Sequence, residues 1–299
     1  MRHTLFWMNA VLSPVLLLAG CQLPGREGPV PQSLANCRRL SQQGVTALER
    51  GRQQDAEALL AKAVATCSVD AEARRHYGEA LWRRGARTEA IAQLEEAGRL
   101  AGEDATLWAR LAEMYLDVGQ TDRARQNAER ALDLDPKLPG AWVIRGRVTW
   151  AAGQPRQALA DYLRALGYAP HDRAILQEVA ELYRQLNEPQ RALQTLQGLA
   201  ETYSPGEEPG QVLYLMGQTY VALGRYDDAV ESLSAALTRE RPTAEMYCRL
   251  GEADLLAGHP EEAAAAARQA LTLEPQHQAS RTLLNGIELA RQPDAAVRR

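Results

Sequence analysis

The chain has 299 residues, of which 45% are hydrophobic, 24% charged and only 5% aromatic, and its formal net charge is −4. Those proportions are ordinary for a soluble globular chain of one large or two average domains. The mild acidity excludes a global basic field for nucleic acid.

Ala, Leu, Gln, Glu and Arg dominate, a set that favours helix and lacks the β-branched enrichment of a sheet protein. Basic charge is nearly all Arg, with Lys only at Lys62 and Lys137. A codon bias explains that more simply than a requirement for guanidinium chemistry.

The N-terminus begins with a short basic region, Met1-Arg2-His3, and an apolar stretch ending Val15-Leu16-Leu17-Leu18. Asn9, Ser13 and Pro14 interrupt that stretch and leave it too short to span a membrane. Leu18-Ala19-Gly20-Cys21 follows: an aliphatic residue, two small ones and a thiol. This resembles the lipobox of bacterial lipoprotein signal peptides. The resemblance implies a signal peptide at 1–20, lipidation of Cys21, and a chain anchored by lipid to the periplasmic face of the bacterial cell envelope. Gln22, where inner-membrane lipoproteins of enterobacteria carry Asp, is similar to the outer-membrane pattern. The other reading is an ordinary secretory signal with a chance Cys. The Pro- and Gly-rich residues that follow read as a flexible tether, which makes 21–36 the lipidated N-terminus and linker.

A repeat then takes over. The clearest unit, 105–138, carries Trp108, Leu111, Ala112, Tyr115, Gly119, Ala124, Ala131 and Pro136 at positions 4, 7, 8, 11, 15, 20, 27 and 32 of a 34-residue frame. This pattern resembles the tetratricopeptide repeat. Stepping by 34 residues, with one three-residue insertion before the sixth unit, puts Ala at position 20 of all seven units, from Ala56 to Ala263. Position 15 is Gly in six units and Asn187 in the fifth, as a left-handed helix end requires. The expected fold is all-α. It is a right-handed superhelix of seven helical hairpins at 37–70, 71–104, 105–138, 139–172, 173–206, 210–243 and 244–277.

Three departures from the pattern stand out. Arg74 and Arg145 occupy apolar positions, and Asp254 replaces an aromatic. The segment Ser204–Gly210 holds the insertion and reads either as a surface loop or as a hinge that interrupts stacking. Leu283, Leu284, Ile287 and Leu289 recur at helical spacing, so 278–291 reads as the capping helix that an open solenoid end needs. Residues 292–299 read as a disordered tail.

Catalytic motifs are absent: there is no G-x-S-x-G, H-E-x-x-H or phosphate-binding glycine loop. The histidines are dispersed without metal-ligand spacing. No enzyme activity, metal, cofactor, nucleic acid or small-molecule substrate is expected. Cys37 and Cys67 fall at positions 1 and 31 of the first hairpin. The start of the first helix lies there beside the end of the second, so a Cys37–Cys67 disulfide is expected. Cys248 has no evident partner.

The resemblance also implies a concave groove lined by positions 2, 5, 9 and 12 of each first helix. Those positions hold Arg75, Glu79, Trp82, Glu113, Leu116, Val143, Arg147, Trp150, Gln177, Glu181, Arg184, Tyr214, Gln218, Glu252 and Leu255. Trp82, Trp150 and Tyr214 are either exposed anchors or packing against the next helix, and both readings stay open. The Lys and Asn of the family's carboxylate clamp are missing. The expected partner is a peptide or helix of another protein held in this groove, in a membrane-tethered adaptor for a secretion, pilus or envelope assembly. The alternatives are a passive periplasmic oligomerisation module and a polysaccharide-export helper.

Overall fold

In a computed structural model, residues 32–291 are described. The signal segment, Cys21, most of the tether and the 292–299 tail lie outside the described residues. Seven antiparallel helix pairs follow one another: α1 (Gln32–Glu49) with α2 (Gln53–Thr66), α3 (Ala71–Arg84) with α4 (Arg87–Leu100), α5 (Ala105–Asp117) with α6 (Thr121–Leu134), and α7 (Pro139–Ala151) with α8 (Pro155–Tyr168). Next come α9 (Arg173–Gln185) with α10 (Pro189–Ala200), α11 (Gly210–Ala222) with α12 (Tyr226–Arg239), and α13 (Ala244–Leu256) with α14 (Pro260–Leu273). A single helix, α15 (Gln278–Arg291), ends the array. No strand occurs among the described residues.

Local chemistry sets the boundaries. Asp70, Asp104, Asp172 and Thr243 cap α3, α5, α9 and α13 by accepting hydrogen bonds from first-turn amides. Pro139, Pro155, Pro189 and Pro260 open other helices, where the missing N–H costs nothing. Each first helix of a pair ends in a left-handed residue, such as Gly119 at φ +76° or Asn187 at φ +58°. The amide after it then reaches back: Gln120 N–H donates to the Tyr115 carbonyl at 2.8 Å, and Glu188 N–H to that of Tyr183 at 2.8 Å.

Close crossings explain the small residues. A Cβ at Gly217 would lie 2.6 Å from Leu233 Cγ and 3.3 Å from the Ala229 carbonyl oxygen, so α11 and α12 could not approach as they do. Leu107, Leu111, Tyr115 and Tyr162 are almost fully buried in a core that is continuous from α3 to α10. Trp108 and Trp142 belong to that core, as their frame positions predict.

Several expectations need correction. Helix α1 starts at Gln32, inside the segment read as tether; residues 32–36 hold neither Gly nor Pro. Stacking is not broken at the insertion: Leu196 and Leu199 of α10 pack on Val212 and Leu215 of α11, with the extra residues looped outside. Arg173 closes that loop, stacking on the Tyr203 ring at 3.9 Å and donating to Thr202 Oγ1 at 3.0 Å. Arg145, the departure in the fourth unit, finds a partner inside that unit. It makes a two-point ion pair with the buried Asp161, at 3.0 and 2.5 Å, and lies 4.4 Å from the Trp142 ring centre. Arg74 likewise donates to Gln93 Oε1 at 2.9 Å and to the Ser68 carbonyl at 2.8 Å. In α15, Leu283, Leu284 and Ile287 pack on Ala263 and Ala264 of α14, but Leu289 is exposed.

Candidate functional site

Successive first helices approach one another: α1 meets α3, α5 meets α7, α11 meets α13, and α13 meets α15. Their shared face carries the expected groove positions. It is tied together by polar contacts between neighbouring units. Glu79 of α3 accepts from Arg110 of α5 at 2.7 and 2.9 Å, and Arg110 also reaches Glu113 at 2.5 Å. Arg147 of α7 pairs with Glu178 of α9 at 3.0 Å. Arg184 of α9 pairs with Glu181 at 2.7 Å and donates to Gln218 Oε1 of α11 at 2.5 Å. Arg249 of α13 engages Glu245 and Glu252 at 2.7 and 2.9 Å. Its charge also faces Tyr214, whose hydroxyl is raised above the usual phenol value by burial and by Glu245. Arg110 and Arg147 are held more firmly protonated, Arg110 chiefly by Glu79; at Arg147 burial opposes and the Glu178 carboxylate prevails.

The groove candidates therefore divide. Glu79, Glu113, Arg147, Glu181, Arg184 and Gln218 are half-buried and already engaged with side chains of their own or neighbouring units. Trp82 is not a groove anchor: it is 8% exposed, sits in the core, and is covered by Arg87 at 3.9 Å and flanked by Arg110 at 5.8 Å. Its position faces α4 and α5, so the ring fills the joint between two units. Trp150 is half-buried against the core edge, with its indole N–H donating to Gln185 Oε1 of the next unit at 2.9 Å. Arg75 is half-buried near Asp104. Burial alone would raise the Asp104 carboxyl, but hydrogen bonds from Thr106 and Leu107, with help from Arg75, hold it below the usual range.

What the frame missed is position 6. Arg110, Glu178 and Arg249 all occupy it, and each Arg110–Glu79 or Glu178–Arg147 pair joins residues 31 apart. Charge complementarity at that interval was the available signal.

Several clefts open on this face. One has a volume of 410 Å³ and crosses α5, α7 and α9. Ala109, Val143, Ile144 and Ile175 form its apolar floor, and Arg110, Glu113 and Arg147 stand along it. A second, of 290 Å³, is lined by Arg184, Gln218, Val221, Leu233, Arg249 and Glu252.

Elsewhere, Cys37 and Cys67 are free thiols in this structure, so the expected disulfide is not formed; they do share one apolar cluster. Cys248 lies buried, not on the groove surface. His277 Nδ1 is 2.8 Å from Ser280 Oγ, and its Nε2 is 3.3 Å from Glu245. Ser280 is wholly buried, so this chain of contacts fastens α15 to α13. Among the described residues no three His, Cys, Asp or Glu side chains converge as metal ligands. No described helix is long and apolar enough to cross a membrane.

Paired helices of near-constant length, a left-handed residue in the turn inside each pair and a face made of first helices define a solenoid of tandem helical hairpins. Tetratricopeptide repeat models match residues 42–105, 105–148, 145–207 and 214–279, and the chain belongs to the tetratricopeptide repeat family. It is similar to a tetratricopeptide repeat protein of Parabacteroides merdae, with a TM-score of 0.59 and 18% identity over 86% of this chain and 100% of that one. It is also similar to YrrB, described as "a TPR protein with an unusual peptide-binding site", with a TM-score of 0.57 and 20% identity over 63% of this chain and 96% of that one. By sequence it is 23% identical over 142 residues to the Hsp70-Hsp90 organizing protein of Triticum aestivum. That match takes in 48% of this chain but only 24% of the wheat protein. The fold is thus the all-α superhelix expected, and the chain is a protein–protein interaction scaffold.

Proposed function

We propose that this scaffold is an adaptor of the bacterial cell envelope. It is tethered to a membrane through a lipid on Cys21 and holds a peptide or helix of a partner protein against its first-helix face. The observation that carries the reading is the 410 Å³ cleft. Ile144 and Ile175 are 6% and 4% exposed and give it a fixed floor, with half-buried Val143 at the surface. Most of the surrounding charges are already paired, so an apolar side chain entering the cleft displaces water without stripping a free ion. The YrrB description, which names a peptide-binding site on a related fold, supports a peptide as the occupant. The envelope location and lipid rest on Leu18-Ala19-Gly20-Cys21. A secretion, pilus or envelope assembly is the setting that suits a tethered adaptor.

The test is proximity labelling in cells from the full chain, from Val143→Arg and from Cys21→Ala. Val143→Arg should lose its enriched partner by about 30-fold, as at a hot spot of about 2 kcal/mol, while its helical melt stays unchanged. Cys21→Ala should leave the membrane fraction. Retention of every partner by Val143→Arg refutes the groove; membrane retention of Cys21→Ala refutes the anchor.

A further inference from the structure

A second cluster with chemistry of its own lies at the end of the array opposite α15. Cys37, in the first turns of α1, and Cys67, the residue that closes α2, share an apolar cluster with Ala63 and Ala73, flanked by Leu40 and Val64. The Cys37 thiol lies within electrostatic reach of both Cys67 and the Asp70 carboxylate. Asp70 is fixed in place: its amide donates to the Cys67 carbonyl at 3.2 Å, and its Oδ1 accepts from Ala73 N–H at 2.9 Å where it caps α3. Cys37 is fully buried and Cys67 is partly exposed.

We propose that Cys37 and Cys67 are an oxidisable pair that closes into an intrachain disulfide, stapling the first hairpin, with Asp70 accepting the Cys37 proton as the bond forms. The oxidant is an exogenous disulfide, either a small molecule or a thiol–disulfide exchange protein. Cys67, which solvent reaches, attacks one of its sulfurs as thiolate; that S–S bond breaks and the first thiol leaves. The Cys37 thiol then passes its proton to Asp70, and the Cys37 sulfur attacks Cys67 Sγ. The mixed disulfide breaks and the second thiol leaves. Two protein thiols are oxidised and one exogenous disulfide is reduced to two thiols, so no further co-reactant is needed.

The order of attack follows from the surroundings. Burial, together with the Asp70 and Cys67 charges, pushes the Cys37 thiol up to about 11, so it stays protonated at neutral pH and is a poor first nucleophile. The consequence follows from the topology. Among the described residues the first hairpin packs on one neighbouring unit, and the end units of a linear array open first. A bond from Cys37 to Cys67 closes a loop of about 30 residues across that hairpin, which lowers the entropy gained on opening it.

The test uses the full chain incubated with oxidised glutathione, quenched by alkylation and mapped by mass spectrometry without reduction. The expected product is a Cys37–Cys67 linked peptide, with Cys248 still free. Amide exchange in α1 and α2 should slow by on the order of a hundredfold relative to the reduced chain. Cys67→Ser should abolish both effects. Asp70→Asn keeps the helix cap but should slow closure toward the roughly 100-fold that positioned proton acceptors supply, with glutathione accumulating on Cys67. Free thiols at both positions, or a wild-type chain that stops with glutathione on Cys67, overturn the staple. Closure at the same rate in Asp70→Asn overturns the role of Asp70.

Discussion

Removing Arg145 tests whether the fourth unit tolerates its charged residue because of one partner. Asp161 has 4% of its side chain exposed and Arg145 26%, and two hydrogen bonds join them. Arg145→Ala leaves a carboxylate in the core with nothing to neutralise it, a loss of about 3–5 kcal/mol, and forfeits the contact with Trp142, a further ~0.5–1 kcal/mol. Asp161→Ala is milder, about 1–3 kcal/mol, because Arg145 can still reach water and keep the Trp142 face. Replacing both, as Arg145→Met with Asp161→Leu, should return stability to within about 1 kcal/mol of the original chain or above it. Urea unfolding followed by helical signal measures the total, and amide exchange in α7 and α8 locates it, since repeat arrays open piecewise. If each single change costs under about 1 kcal/mol, the pair behaves as a surface ion pair and the reasoning fails. Additive effects in the double variant refute it equally.

Two further expectations follow. Glu79 and Arg110 are 26% and 30% exposed, so their bidentate pair should show a coupling of about 0.5–1 kcal/mol in a double-mutant cycle with Glu79→Gln and Arg110→Gln. The coupling should shrink in about 1 M salt, where screening acts within ~3 Å; a salt-independent or zero coupling contradicts the ladder. Asp254 is buried, and that burial raises its carboxyl above the usual range, only partly offset by His259 at 4.0 Å. A raised carboxyl binds its proton more tightly folded than unfolded, so its stability contribution is present below the unfolded value and lost as pH rises through the folded one. Asp254→Asn should therefore melt above the original chain at neutral pH, with the gap closing toward about pH 4; a pH-independent gap, or a lower melt at neutral pH, rules this out.

Much of the fold was legible because the repeat reports packing. Ala at position 20, small residues at position 8 and Gly or Asn187 at position 15 are demanded wherever two backbones cross or a helix must end left-handed, and no surface variation can erase them. The departures were legible as departures but not as solutions. Arg145 read only as a departure because its partner, Asp161, lies 16 residues away on the next helix. Trp82 read as an equal candidate for groove or core because its position faces the next unit, and only the paired helix α4, with Arg87, decides which side covers the ring. The insertion at 204–210 left loop and hinge both open because sequence shows the added length but not that Leu196 and Leu199 reach past it.

The face of the first helices shows the same limit more usefully. A residue's frame position says that it points inward, not whether it remains available to a partner. Position 9 of one unit and position 6 of the next meet across the joint. Glu79 with Arg110 and Arg147 with Glu178 thus serve the solenoid before they serve a ligand. An ion pair that already satisfies its geometry gains little from an incoming charge, because the new bond must first break an old one. In the proposed groove, specificity would then fall to the apolar floor between the pairs, Val143 and Ile144 with Ile175 from the following unit, where nothing must be displaced but water. The ladder sets how far apart successive helices stand, and so the width of that floor. If the proposed groove holds a partner, a change at Arg147, whose pair with Glu178 bridges α7 and α9, should alter binding through the spacing of those helices, with affinity falling even for a partner that carries no charge.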